Sequence, residues 1–347
     1  MFHTGAIDGS AVCPGDTEDA MKAHAVVFTN NNEVEYKEVQ VPEPGDNDVL
    51  IELDYSWISI GTESSYLRGE RIRGEVPYRL GDSRPFPIVA GYQKTGIVRA
   101  IGSAVRGFEV GERVFAAISK VSGMFDAFGG HVDPAVTPVN HIWKLPAGAS
   151  PEDYCGLVLT QVGYNCGMRP SLAEGDEAVV IGDGLVGQWA AQTLLHRGAQ
   201  VTVLGRHDGR LAYLPSPIRG VNTRTTGLSD ALAGRRLAVV VDTVGDMGAF
   251  RAIQPYMKHN SHFVSAGFLG EEGTVDIQTL RGQEITLHTP SGWTAERMEA
   301  TIAAISQGWL KTSPLITHRF RAEQAAEAWK VIQSGKASCL GVVLDWT

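Results

Sequence analysis

The sequence predicts an α/β protein in which a doubly wound parallel sheet follows an irregular, mainly β domain. Three observations predict it. The chain has 347 residues, more than one hydrophobic core usually organises. Its first part breaks into short apolar runs punctuated by Gly and Pro, the pattern of strands and turns. After Pro151 apolar strands alternate with helical stretches, the mark of βαβ units and a parallel sheet.

Residues 1–20 carry neither a basic start nor a sustained apolar stretch, so they read as a disordered leader or expression remnant rather than a secretory signal. The fold is expected to begin near Met21. In a first domain over 21–150, strands are expected at 22–28, 48–55, 96–101 and 113–117. In a second domain over 151–290, strands at 177–181, 200–204, 237–242 and 262–266 accompany a helix at 185–197. From 291 to 347 a helix (295–307), a β segment (315–320), a second helix (322–334) and a closing strand (340–345) are expected to return to the first domain. The two helices mix apolar and charged residues at amphipathic spacing, which suits domain packing better than ligand binding.

Hydrophobic residues make up 43% and charged residues 20%, a balance that gives two cores enough material and excludes a disordered chain. A net charge of -9 with no Lys/Arg-rich run repels phosphate backbones and argues against nucleic-acid partners. The longest apolar runs, 178–181 and 237–241, are too short to cross a bilayer, so no membrane partner is expected. Cys13, Cys155, Cys166 and Cys339 lie far apart and form no C-x-x-C pair, which suggests neither a disulfide framework nor a cysteine zinc site and fits a reducing cytoplasm. Two domains with a crevice suit a small-molecule substrate; a homodimer is left open.

The segment from Glu177 to Gly187 is a buried strand running into Gly182-Asp183-Gly184-Leu185-Val186-Gly187 and then a helix. This is the Rossmann dinucleotide fingerprint in its proper context. Gly182 permits the tight turn, Gly184 lets the backbone approach a pyrophosphate, and Gly187 lets the helix pack on the strand, with phosphates resting on the amides of Leu185, Val186 and Gly187. The next strand ends in Gly205-Arg206-His207-Asp208. An NAD site usually keeps an acid at that strand end to hold the ribose 2′-hydroxyl, and Gly205 stands there instead. Arg206 can grip a 2′-phosphate, so NADP(H) is the expected cofactor, with Gly205, Arg206 and His207 around its adenosine end. The competing reading has Arg206 as a solvated loop residue and Asp208 doing the acid's work.

From Met21 to its C-terminus the chain resembles the medium-chain dehydrogenase/reductase superfamily, including a Gly-Glu-Arg-Val-Phe stretch at 111–115 typical of the first domain. The resemblance implies a GroES-like first domain and a nicotinamide oxidoreductase. Zinc alcohol dehydrogenases of that family carry Cys-Gly-Thr-Asp in a first-domain loop, a later Gly-His-Glu, and four closely spaced cysteines. Here the first loop reads Ser59-Ile60-Gly61-Thr62-Glu63 and the second Gly91-Tyr92-Gln93, and no four-cysteine lobe exists. Isoleucine cannot ligate zinc, and tyrosine beside an amide replaces imidazole and carboxylate poorly, so no metal is expected. Gly61-Thr62-Glu63, the run Pro87 to Tyr92, and Phe128-Gly129-Gly130 are similar to the branch that oxidises the hydroxyethyl side chain of bacteriochlorophyllide, which implies a secondary alcohol/ketone couple on a bulky substrate.

Without a Lewis acid, hydride transfer to a carbonyl needs a protein donor at the oxygen where charge develops. The resemblance places Thr62 where the zinc enzymes keep a relay hydroxyl and Tyr92 where a ligand faces substrate. Glu63 would orient a neighbour or act as a base, Gln93 would donate an amide N–H, and Lys94 and His131 stand in reserve. The structural alternatives are that Tyr92 plugs the vacated cavity and that Glu63 is buried against an arginine. Trp57 would be either a wall for a ring-shaped or sugar-like substrate or, the more common use, core packing. The expected activity is a zinc-independent NADP(H)-dependent alcohol dehydrogenase or ketoreductase. Reduction of an activated C=C bond or a quinone is the second expectation, and a non-catalytic NADP(H)-binding protein the third.

Overall fold

The computed structural model describes residues 20–74, 76–270, 273–335 and 339–347. Of the expected leader only Ala20 is described, as the opening residue of a strand; residues 1–19, with Cys13, lie outside the described residues. Ala20–Asn30 and Glu33–Pro42 form a long antiparallel hairpin whose turn is closed by Asn32 at a φ of 60°, a left-handed position asparagine tolerates. The second arm, EVEYKEVQVP, mixes charged residues into a half-exposed strand and escaped the sequence reading.

The main sheet of the first domain runs in the order Ile142–Lys144, Arg113–Ala116, Lys94–Ile101, Asp48–Ile58, Gly341–Asp345, Ile316–Arg321, with Ala135–Pro138 also paired to Asp48–Ile58. Its pairs are antiparallel except the last, where Ile316–Arg321 runs parallel to Gly341–Asp345. The final strand lies beside the first domain's central strand, pairing Val343 with Trp57 and Leu344 with Ser56.

The second sheet is wholly parallel, in the order Arg219–Asn222, Gln200–Gly205, Glu177–Ile181, Leu237–Asp242, Met257–Ser265, Thr286–His288. Counted along the chain this is the doubly wound order 3-2-1-4-5-6. The central strand Leu237–Asp242 is buried at all six positions, which is why it reads as an unbroken apolar run. Helix Leu185–His196 follows the first strand. Helix Leu157–Met168, apolar on most faces and buried at nine positions, packs alongside it.

Between the two sheets lies a core of large side chains. Trp57 and Trp189 meet edge to face at 5.9 Å, surrounded by Phe115, Trp143, Leu157 and Leu315. Trp57 is fully buried there, so core packing, and not a substrate wall, is its use. No described helix is long and apolar enough to cross a membrane.

Candidate active site

An open parallel sheet binds ligands beyond the carboxyl ends of its strands, where the strand order reverses. That point lies between Glu177–Ile181 and Leu237–Asp242. Gly182 leaves the first strand at a φ of +117°, and Gly184 is the extended residue before helix Leu185–His196. Gly187 packs so closely that a Cβ on it would lie 2.1 Å from the Gly182 carbonyl oxygen. The helix therefore starts directly beneath the turn. Its first amides, those of Leu185, Val186 and Gly187, have no carbonyl one turn earlier within the helix and suit a pyrophosphate.

At the end of the second strand Gly205 is buried, Arg206 is exposed and His207 is half-buried. Asp208 opens a short helix and accepts a hydrogen bond from Asn222 Nδ2 at 2.9 Å. The acid comes instead from inside the glycine loop. Asp183 Oδ2 accepts the amides of Arg206 at 2.7 Å and His207 at 2.8 Å, His207 Nδ1 lies 3.0 Å from the same oxygen, and Arg210 Nη1 lies 3.5 Å from Oδ1. Burial alone would push the Asp183 carboxyl up; the two amides and the His207 ring outweigh it and hold it below the ordinary carboxylate value.

In the first domain Ser59 to Glu63 is not a loop. Helix Ile60–Leu67 begins there, placing Thr62 and Glu63 on its first turn. Glu63 reaches back so that its Oε1 accepts the Ser59 amide at 2.7 Å, which satisfies one of the donors a helix start leaves open. Its Oε2 lies 3.1 Å from His131 Nε2, His131 Nδ1 lies 2.8 Å from Ser56 Oγ, and Ser56 Oγ also accepts from Trp346 Nε1 at 2.8 Å. Glu63 is 2% exposed and His131 0%. The buried partner of Glu63 is thus a histidine and not an arginine. Both oxygens are thus engaged away from water, one on the Ser59 amide and one on the His131 ring.

Ser59 in turn meets Tyr92, whose hydroxyl donates to Ser59 Oγ at 2.6 Å. Burial, with help from the negative charge of Glu63, pushes the Tyr92 phenol up to about 12; the Ser59 and Thr62 hydroxyls pull the other way, as does the positive charge of Arg71. Gln93 is fully buried, donating to the Trp57 carbonyl at 3.2 Å and accepting the Leu159 amide at 3.0 Å. The expectation that its amide serves the substrate is therefore corrected: Gln93 ties a first-domain strand to helix Leu157–Met168. Lys94, also fully buried, donates to the Ala117 carbonyl at 2.6 Å, and burial lowers its amine to about 7.

Three residues gain a place the sequence did not assign. Ser59 stood inside a quoted motif without a role, and Asp183 occupied a variable position between two glycines. Arg71, 4% exposed, lays its guanidinium 3.6 Å above the Phe268 ring, which follows the strand Met257–Ser265. No local signal marks that contact, since its partners belong to different domains. Among the described residues no three His, Cys, Asp or Glu side chains converge as metal ligands would.

Comparison with known proteins agrees with this architecture. The family described as alcohol dehydrogenase GroES-like domain matches residues 45–147, and that described as zinc-binding dehydrogenase matches 219–338. The chain is 26% identical over 334 residues to 2-desacetyl-2-hydroxyethyl bacteriochlorophyllide A dehydrogenase of Cereibacter sphaeroides, covering 94% of this chain and 99% of that one. It is 24% identical to L-threonine 3-dehydrogenase of Saccharopolyspora erythraea, covering 90% and 96%. Among solved structures, the alcohol dehydrogenase RspB of Escherichia coli CFT073, complexed with NADH, superimposes with a TM-score of 0.81 at 23% identity, covering 94% and 99%. A protein of Sinorhizobium meliloti 1021 described as a zinc-binding dehydrogenase, bound to NADP, does so with a TM-score of 0.79 at 18% identity, covering 94% and 99%.

Proposed function

The chain belongs to the medium-chain dehydrogenase/reductase superfamily, and from that premise we propose that it is a zinc-independent, NADP(H)-dependent oxidoreductase of a secondary alcohol/ketone couple. The observation that carries this reading is the 2.6 Å contact between the Tyr92 hydroxyl and Ser59 Oγ. It joins the two segments in which the zinc members of the family keep their ligands, and here those segments offer Ile60, Tyr92 and Gln93. The residues present do not suit zinc: Gln93 is engaged with backbone, and the nearby Glu63 and His131 are engaged with each other.

When bound on the glycine loop and Arg206, the nicotinamide cofactor supplies or takes the hydride. The protein's part is to manage charge and a proton at the substrate oxygen. A phenol held up at about 12 stays protonated at neutral pH, and with its one hydrogen on Ser59 it can replace the proton that Ser59 gives to a developing alkoxide. Ser59 accepts from Tyr92, so its own hydrogen is directed elsewhere; the pair, with Thr62 beside it, forms a hydroxyl relay. Glu63 fixes Ser59 through its amide, and its negative charge, felt more strongly at Tyr92 than the positive charge of Arg71, helps keep the phenol protonated. The bacteriochlorophyllide relative supports a hydroxyethyl or ketone group on a bulky small molecule as the substrate class. The buried thiols of Cys155, Cys166 and Cys339 are consistent with action in a reducing cytoplasm.

The test compares chelated wild-type protein with Tyr92→Phe on ring-bearing ketones, following nicotinamide absorbance with NADPH. Turnover should survive chelation and fall about 10²-fold or more in the variant, the usual cost of losing a general acid or one such hydrogen bond. Loss of activity on metal removal, or a variant within about threefold of wild type, a fraction of 1 kcal/mol in the barrier, defeats the reading.

A further inference from the structure

The adenosine end of the crevice has an acid after all, delivered from an unexpected place. A Cβ built on Gly205 would lie 2.6 Å from Asp183 Cβ and 2.6 Å from Asp183 Oδ2. The space that a strand-end side chain would fill is therefore already taken by a carboxylate that belongs to the glycine loop. Asp183 is 5% exposed, and its carboxylate holds the donors that line this corner: the amides of Arg206 and His207, the His207 ring and, at longer range, Arg210.

We propose that Asp183 is the cofactor-selecting residue of this chain, a built-in acid that restrains its preference for NADP(H) and keeps the site open to NAD(H). The inference rests on the proposed nicotinamide dinucleotide site and adds a residue to it. A 2′-phosphate brought to this corner seeks the donors that Asp183 already holds, because charged acceptors draw strongly on amide and guanidinium N–H groups. It also meets the negative charge of Asp183, close by and shielded from water, where charges act more strongly than at the surface. Arg206, exposed, and Arg210 pull the phosphate in the opposite sense. Asp208 is exposed and bonded to Asn222, so its charge is better screened. A cofactor with only a 2′-hydroxyl has no charge for Asp183 to repel. Replacing the carboxylate by a neutral amide weakens its hold on the Arg206 and His207 N–H groups and removes the repulsion, and both changes favour the phosphorylated cofactor.

Titration of NADPH and NADH at fixed ionic strength, by nucleotide fluorescence, tests this on wild type, Asp183→Asn and Gly205→Ala. The ratio of NADPH to NADH affinity should rise about tenfold or more in Asp183→Asn, which is about 1.4 kcal/mol. Gly205→Ala reaches the same end by another route, since its added methyl collides with the carboxylate and displaces it; the ratio should rise there too, and this variant decides if Asp183→Asn does not fold. A ratio within about threefold of wild type in the folded variants, or one that falls, overturns the proposal. Wild-type protein that binds NADH more tightly than NADPH overturns the NADP(H) reading alone, because the effect of Asp183 is read from the change in ratio. Wild-type protein that binds neither overturns both.

Discussion

Lys94 is a charged residue type in a place without water, and its consequence is measurable. Its amine, at about 7 in the folded protein against 10.5 in the open chain, loses its proton on folding wherever the pH lies between those values. The unfolded state then binds the extra proton, so stability rises with pH through that window. The contribution is fully present above about 10.5 and is lost as the pH falls to about 7. A tenfold difference in proton affinity between the two states is worth about 1.4 kcal/mol, so the rise across the window amounts to several kcal/mol. Lys94→Met should therefore be more stable than wild type at pH about 6 and should lack the wild-type rise between about 7 and 10, as read from denaturant midpoints across pH. A difference between the two proteins that does not change with pH would remove Lys94 from this role. At this scale the sequence was most legible where one residue type does one job. Gly182, Gly184 and Gly187 announced their backbone. It was least legible where the partner is far along the chain, as for Glu63 with His131, Asp183 with His207, and Arg71 with Phe268.

Elements with a clean period were legible almost to the residue: Glu177–Ile181 and Leu237–Asp242 have the expected ends, and helix Leu185–His196 stops one residue early. Two helices were hidden for opposite reasons. Helix Ile60–Leu67 is short and carries Gly61 and two serines, which read locally as a loop. Helix Leu157–Met168 is apolar nearly all round, so it shows no stripe. Between the strand Ile88–Val89 and the strand Lys94–Ile101, Gly91 holds the turn that presents Tyr92, at a φ of 81°. A Cβ there would lie 2.5 Å from the His131 ring, so Gly91→Ala must both strain the backbone and push His131 off Glu63. Strain of this kind costs about 1–3 kcal/mol, and overpacking adds about as much again. Gly111 provides the control, with a φ of 91° and no atom within 4 Å of an added Cβ. Gly91→Ala should be less stable than Gly111→Ala by at least about 1 kcal/mol in denaturant unfolding. Equal losses would mean that the His131 ring yields easily and does not brace the turn.

For the whole molecule, the question is what holds the two domains at the spacing the chemistry needs. Part of the answer is permanent: Gln93 bonds the Leu159 amide, Thr312 Oγ1 donates to the Asp153 carbonyl, and Trp57 and Trp189 interlock in the core between the sheets. The Arg71–Phe268 stack differs from these, because it joins the short strand Arg71–Arg73 of the first domain to the loop after Met257–Ser265, beyond the carboxyl end of that strand. A cation over a ring face contributes about 0.5–2 kcal/mol depending on how dry it is, enough to bias an opening equilibrium but not to lock it. Phe268→Leu keeps an apolar side chain and removes the ring. Amide exchange at residues 267–270 should then speed up severalfold, and NADPH should associate and dissociate faster, while the exchange of the central strand Leu237–Asp242 is unchanged. Exchange at 267–270 equal to wild type would show that the stack does not hold the crevice closed. Acceleration spreading to Leu237–Asp242 would show that Phe268 supports the core and not only this loop.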